Sequence, residues 1–175
     1  MTKTNILLES GTNELEIVEF VIHKSSYGIN VAKVREIVKA SDYKTRKVPR
    51  SHPDLLGIFS LRDTVIPLVD LAKSLGESDY EVDSKAQRII VSEFNKVRIA
   101  FLVDSVLKIH RLSWKQILPP DEFADNEDQM VTGIIRKDDK LVLMLDYEKI
   151  VADIHPESSL SSRKGTASTS QTVTQ

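Results

Sequence analysis

Arg88-Ile89-Ile90-Val91-Ser92-Glu93-Phe94-Asn95-Lys96-Val97-Arg98-Ile99-Ala100-Phe101-Leu102-Val103 is the stretch whose reading decides the fold class. Two runs rich in β-branched and aromatic residues, Arg88 to Phe94 and Val97 to Val103, flank the polar pair Asn95-Lys96. A two-residue connection between such runs is the mark of a β-hairpin. The pattern of short strand and polar turn extends upstream. Leu15 to His23 is a β-rich run with apolar residues on both faces, as expected of a strand buried on two sides. Ser25-Ser26 reads as a tight turn, after which Tyr27, Ile29 and Val31 alternate with Gly28 and Asn30. Val31 to Val38 stays open: Val31, Val34 and Val38 have helical spacing, while the β-branched content favours a strand in the second half. A polar loop containing Pro49 and Pro53 follows. Leu56 to Leu61 and Val65 to Leu71 then form two strands separated by Arg62-Asp63-Thr64. Pro67 lies in the second, and a proline cannot donate to a ladder, so an edge or a bulge is expected there. Asp70 to Leu75 reads as a short helix stopped by Gly76, and the acidic loop Glu77 to Lys85 divides the chain.

Downstream of the hairpin, Val106 to Leu112 is a further strand, and Ser113-Trp114-Lys115-Gln116 resembles a capping box opening one helical turn. Pro119-Pro120 ends that turn. Val131 to Arg136 and Leu141 to Leu145 bracket the polar turn Lys137 to Lys140. Asp146 caps a final helix, Tyr147 to Ile154, with Tyr147, Ile150, Val151 and Ile154 in one apolar stripe. About ten short strands with few helices place the chain among mainly-β folds, either small barrels or a sandwich. Residues 1–13 are expected to be loose and 14–155 to be the folded body. The stretch 156–175, dominated by Ser, Thr and Gln, reads as a disordered tail or linker.

Composition narrows the function. The chain has 175 residues, 41% hydrophobic, which suits one domain or two small lobes sharing a core. It has no cysteine, which excludes a disulfide, a thiolate nucleophile and a Cys-based zinc site. No apolar stretch approaches the ~20 residues a bilayer requires, and the first eight residues lack a secretory core, so a cytoplasmic protein without membrane insertion is expected. With 24 Lys and Arg against 26 Asp and Glu, nucleic acid is disfavoured as a partner. The densest basic segment, Lys44, Arg46, Lys47 and Arg50, has only Tyr43 as an aromatic neighbour and reads as a solvated loop.

Catalytic parts are missing. His23, His52, His110 and His155 are scattered without metal-ligand spacing. There is no G-x-S-x-G elbow, P-loop or G-x-G-x-x-G. The acid pairs Asp121-Glu122 and Asp138-Asp139 fall in loops and read as solubilising. The expectation is no catalytic residue, no cofactor and no metal. What stands out is a charged pair of residues among apolar ones: Glu36 within Val34-Arg35-Glu36-Ile37, and Arg62 at the end of the strand through Leu61. Physics leaves two readings open. One is a surface ion pair stabilising by about 0–1 kcal/mol. The other is a pair that orients itself on a recognition surface, where arginine's planar fork is a common anchor.

The succession of these segments resembles the chemotaxis coupling proteins of the CheW and CheV type. The resemblance rests on Tyr27-Gly-Ile-Asn-Val-Ala-Lys-Val-Arg-Glu-Ile37, Val48-Pro49 with Pro53 and Leu56-Gly-Ile58, and Leu61-Arg62 leading into Val65-Ile-Pro-Leu-Val-Asp-Leu71. Phe101-Leu-Val-Asp-Ser-Val106, Ile117-Leu-Pro-Pro120, Val131-Thr-Gly-Ile134 and Leu143-Met-Leu-Asp146 follow in order. The opening Ile6 to Phe20, Glu93-Phe-Asn-Lys-Val97 and Asp146-Tyr-Glu-Lys-Ile150 look like CheV, in particular its N-terminal domain. CheV proteins join such a domain to a phosphorylatable receiver, so the resemblance implies the coupling domain of a CheV-like protein with part of its linker, or a standalone relative.

The resemblance further implies two small five-stranded SH3-like barrels on a shared core, divided here near 77–85. It implies a non-enzymatic scaffold that joins the cytoplasmic tips of methyl-accepting chemoreceptors, in a groove between the barrels, to the regulatory domain of the CheA histidine kinase. Such a scaffold is cytoplasmic and recruited to membrane-associated receptor arrays. Glu36 and Arg62 match the family's charged pair, and Val34, Ile37 and Leu61 are apolar neighbours expected to supply contact area. The family's arginine is usually followed by glycine. Here Asp63 follows, expected either to compete with Glu36 for Arg62 or to change the partner preference of the loop. From other classes, a small-molecule-binding or enzymatic β-barrel requires a deep polar pocket with clustered titratable groups, and a fragment of the kinase itself is disfavoured by the missing ATP-site motifs.

Overall fold

The computed structural model describes residues 13–120 and 130–154. The expected loose segment (apart from Asn13), the pair Asp121-Glu122, His155 and the tail 156–175 lie outside the described residues. Two hydrogen-bonded sheets dominate. Strands β1 (Glu14–Ile22), β2 (Ser25–Asn30), β8 (Ser105–Ser113), β9 (Ile117–Leu118), β10 (Val131–Lys137) and β11 (Lys140–Leu145) form a six-stranded sheet in the order β8-β1-β2-β11-β10-β9. Strands β3 (Val34–Lys39), β4 (Leu55–Leu61), β5 (Thr64–Asp70), β6 (Arg88–Phe94) and β7 (Val97–Val103) form a five-stranded sheet in the order β3-β6-β7-β5-β4. Helix α1 (Leu71–Ser74) follows β5, and α2 (Tyr147–Ile154) follows β11.

Most local expectations hold. Asn95 and Lys96 take positive φ of 47° and 67°, the twist a two-residue hairpin needs, and β6 and β7 pair from Phe94↔Val97 to Arg88↔Val103. Ser113 and Gln116 form the expected capping box. Asp146 accepts from the backbone N–H groups of Glu148 and Lys149 at the start of α2. Val31 to Val38 follows the strand reading in its second half: β3 begins at Val34 and includes Val38, while only Val31–Lys33 is helical, as a single 3-10 turn capped by Asn30. The first hairpin turns earlier than expected. His23 and Lys24 make the connection, with His23 at φ 53°, and Ser25-Ser26 already belongs to β2. Pro67 also differs from expectation, because β5 is an interior strand between β7 and β4. The parallel ladder to β7 starts only at Leu68↔Ala100, so the face Pro67 leaves without a donor is locally an edge.

Three cores explain the packing. Both sheets curl. In the six-stranded one, Leu15, Ile17, Leu112, Ile135, Val142 and Met144 pack together although β8 and β10 lie far apart in the strand order. In the five-stranded one, Phe59, Leu61, Ile66, Leu68, Ile89, Val91 and Ala100 do the same. A third core joins the sheets through Val18, Phe20, Ile22 and Ile29 on one side and Ile90, Ile99, Phe101 and Val103 on the other, closed by Tyr147, Ile150 and Ile154 of α2. Hence β1, β6 and β7 are buried on both faces, because successive side chains serve two different cores. Each fully buried Ile or Phe contributes about 1.5–3 kcal/mol relative to exposure.

The sheets do not follow a division of the chain at 77–85. β1 and β2 join the C-terminal strands, while β6 and β7 join β3, β4 and β5. The loop itself acts as a strap across the sheets. The Tyr80 hydroxyl donates to Asp104 at 3.1 Å, and the Tyr80 ring stacks on His23 at 4.5 Å. The His23 N–H donates to the other Asp104 oxygen at 2.7 Å. Burial first, and then the Asp104 hydrogen bond, push the Tyr80 phenol above its usual pKa.

Candidate functional site

Arg62 and Asp63 are the two central residues of the β4–β5 turn, with φ of 44° and 65°. The strand twist demands this left-handed pair, and asparagine, aspartate and glycine tolerate it best. The turn brings Arg62 to Glu36 on β3. Its Nη1 donates to Oε1 at 3.1 Å and its Nη2 lies 3.0 Å from Oε2, a two-point fork. The Arg62 side chain is 77% exposed and that of Glu36 27%. β3 and β4 are the two edges of the five-stranded sheet, so the ion pair spans the seam where that sheet curls onto itself. Beside it, Glu93 holds Arg35 at 3.2 Å and Arg98 at 3.1 Å. A small cleft of about 130 Å³ is lined by Glu36, Leu61, Arg62 and Arg98.

The residues singled out in the sequence are only partly brought together. Glu36, Leu61 and Arg62 meet at this cleft, but Leu61 is 4% exposed and already committed to the core beneath it. Val34 packs against the core shared by the sheets. Ile37 alternates to the opposite face of β3 from Glu36 and is 36% exposed. Asp63 points to solvent and takes no part in the Arg62 fork, both of whose nitrogens are on Glu36. The apolar surface next to the turn comes from Val65, 63% exposed at the start of β5. Strand alternation carries no hint of that exposure, because it depends on how far the sheet curls.

Two of the larger clefts among the described residues lie away from this rim. One of about 630 Å³ lies where the sheets meet, lined among others by Leu15, Ile29, Phe94, Trp114, Met144 and Tyr147. Lys33 stands at its mouth, 2.7 Å from Glu148 of α2 and 5.5 Å over the Phe94 ring. The other, of about 350 Å³, opens at the end of the five-stranded sheet among Ala40, Lys47, Leu56, Leu68, Ile89 and Leu102. The basic segment lies along it, pinned by a reciprocal backbone pair between Arg46 and Ile58 at 2.8 Å each way. Gly57 is required there: at φ 149° a Cβ would fall 2.1 Å from the Arg46 carbonyl oxygen. Among the described residues no three His, Asp or Glu side chains converge on a metal position. No helix among them is long and apolar enough to cross a membrane.

A double-sheet β module with a shared core and a fixed charged rim is the class these features define. The chain matches the CheW-like domain over residues 16–155 and belongs to that family. It is 37% identical over 153 residues to the chemotaxis protein CheV3 of Helicobacter pylori, covering 81% of this chain and 49% of that protein. The chain thus spans about half the length of that relative. It is 32% identical over 147 residues to the chemotaxis protein CheW of Thermotoga maritima, covering 84% of this chain and 94% of that one. The crystal structure of the scaffolding protein TtCheW from Thermoanaerobacter tengcongensis superposes with a TM-score of 0.68 at 30% identity, over 75% of this chain and 88% of that one. The mainly-β double fold expected from the sequence is therefore the family's fold.

Proposed function

We propose that this chain is a chemotaxis coupling adaptor. It joins the cytoplasmic tips of methyl-accepting chemoreceptors to the regulatory domain of the CheA histidine kinase by binding alone, at membrane-associated arrays, with residues 14–155 as the coupling unit. The observation that carries this reading is the Arg62 fork, held rigid by Glu36 yet 77% exposed, on the rim of a CheW-like domain. A guanidinium already fixed by one carboxylate loses little side-chain freedom when a partner covers it. Val65, next to the turn, supplies exposed apolar area, and the intersheet cleft of about 630 Å³ guarded by Lys33 offers Leu15, Ile29 and Trp114 as apolar contacts for a docking helix.

Calorimetry against the CheA regulatory domain and a receptor tip tests this. Micromolar binding, about −8 kcal/mol, is expected for the unaltered protein. Arg62→Glu is expected to weaken it at least about tenfold, about 1.4 kcal/mol, with an unchanged circular dichroism spectrum. Combining Arg62→Glu with Glu36→Arg restores the seam pair but reverses the charge shown to the partner. If affinity returns in the double variant, Arg62 is a staple and not a contact. Absence of binding to both partners at tens of micromolar would overturn the adaptor reading.

A further inference from the structure

The six-stranded sheet has a seam of its own, closed by charges that the adaptor reading does not use. Glu19 of β1 and His110 of β8 are 1% and 4% exposed. His110 Nε2 lies 2.5 Å from Glu19 Oε2, and His110 Nδ1 lies 2.7 Å from the ammonium of Lys137, at the end of β10. Lys140, at the start of β11, contacts the second Glu19 oxygen, and the Ser26 hydroxyl of β2 also bonds to Glu19. The remaining charges nearby face away. Lys108 and Arg111 on β8 are exposed, with Arg111 paired to Glu16, and Asp138-Asp139 lie exposed in the β10–β11 turn. The charges facing His110 are therefore Glu19 and Lys137, with Lys140 beyond Glu19.

The proton positions follow from the donors. An ammonium has no acceptor, so at 2.7 Å Nδ1 must offer its lone pair to Lys137. Nε2 then carries the ring proton and donates it to Glu19. The ring is neutral, and the cluster holds one carboxylate against two ammonium groups. A proton added at Nδ1 from solvent would set two donors face to face and add a second uncompensated positive charge to a site walled by β1 and β8. We propose that protonation of His110 and docking of Lys137 exclude one another, which makes the seam a proton-sensitive clasp that frees the β10–β11 hairpin from β8 when the ring takes up a proton. β11 runs directly into Asp146, the cap of α2, and Glu148 of α2 holds Lys33 at the mouth of the intersheet cleft. Release of the hairpin thus loosens one wall of that cleft. The clasp does not depend on which partner the protein binds.

The test is imidazole ¹⁵N spectroscopy of His110 with amide exchange of residues 137–142 in the intact protein. At neutral pH the Nε2–H neutral tautomer is expected. As pH is lowered and the His110 signal moves to imidazolium, protection of the hairpin amides is expected to fall about tenfold or more. Lys137→Met, which removes the competing cation, and His110→Gln, whose amide can still bond both neighbours without titrating, are each expected to abolish that fall. An Nδ1–H tautomer or an imidazolium at neutral pH overturns the proposal. So does protection that stays constant while the ring protonates, or a pH response in His110→Gln equal to that of the unaltered protein.

Discussion

Glu19 occupies the middle of a strand that packs into cores on both faces. Burial by itself would raise its pKa, but hydrogen bonds from His110, Lys140 and Ser26, with the charge of Lys140, bring it from 4.5 down to about 2. A folded-state pKa below the ordinary one means stability that is fully present above about pH 4.5 and lost as pH falls toward 2. Urea midpoints of the unaltered protein should fall more steeply across that window than those of Glu19→Gln. At neutral pH the variant should already be less stable, by about 1–3 kcal/mol, because it leaves buried donors mismatched. Parallel pH profiles would assign the acid transition to another group. Sequence reasoning passed over Glu19 within β1 and left His110 as one of four scattered histidines. Their pairing was not legible there, since Glu19 and His110 are 91 residues apart and meet only across the β1–β8 ladder.

The β6–β7 turn was the most legible element, because its signal lies in adjacent residues and its geometry is local: Asn95-Lys96 closes the hairpin with positive φ. The β4–β5 connection is one residue shorter than the expected Arg62-Asp63-Thr64: Thr64 already belongs to β5, and Arg62-Asp63 close the turn with positive φ. Asp63 occupies φ 65° at a cost that glycine would not incur. Asp63→Gly should therefore raise stability by about 0.5–1 kcal/mol in urea unfolding and leave the Arg62–Glu36 fork unchanged. A loss of stability would mean that the Asp63 carboxylate supports the turn after all. The β1–β2 turn was misplaced because Ser25-Ser26 has turn composition, whereas the decisive residue, His23, is fixed at φ 53° by tertiary bonds from its N–H to Asp104 and from its ring to Glu77. Pro67 likewise obeyed the ladder rule through the starting point of the β5–β7 pairing, a fact of sheet order that no strand carries in its own sequence.

At the scale of the molecule, the strands are exchanged between the two halves of the chain, so the sheets stand or fall together. Proteolytic nicking in the exposed stretch Glu81 to Lys85 should leave two fragments that co-elute in native gel filtration and separate only in denaturant. Fragments that part under native conditions would mean that the shared core is too weak to hold β1–β2 against β8 and β11. The sequence by itself determined most of the strands though not β9, the approximate place of most turns, the stop of α1 at Gly76, the Asp146 cap of α2 and the mainly-β class, because alternation, capping and turn chemistry act over a few residues. It also singled out Glu36 and Arg62, since a charge at the end of an apolar run stands out locally. Tertiary structure alone decided which strands share a sheet, which side chains close the two seams, and whether Leu61 or Val65 meets solvent. Those outcomes depend on strand order and on how tightly each sheet curls, and both are set by the packing of three cores built from residues far apart in the chain.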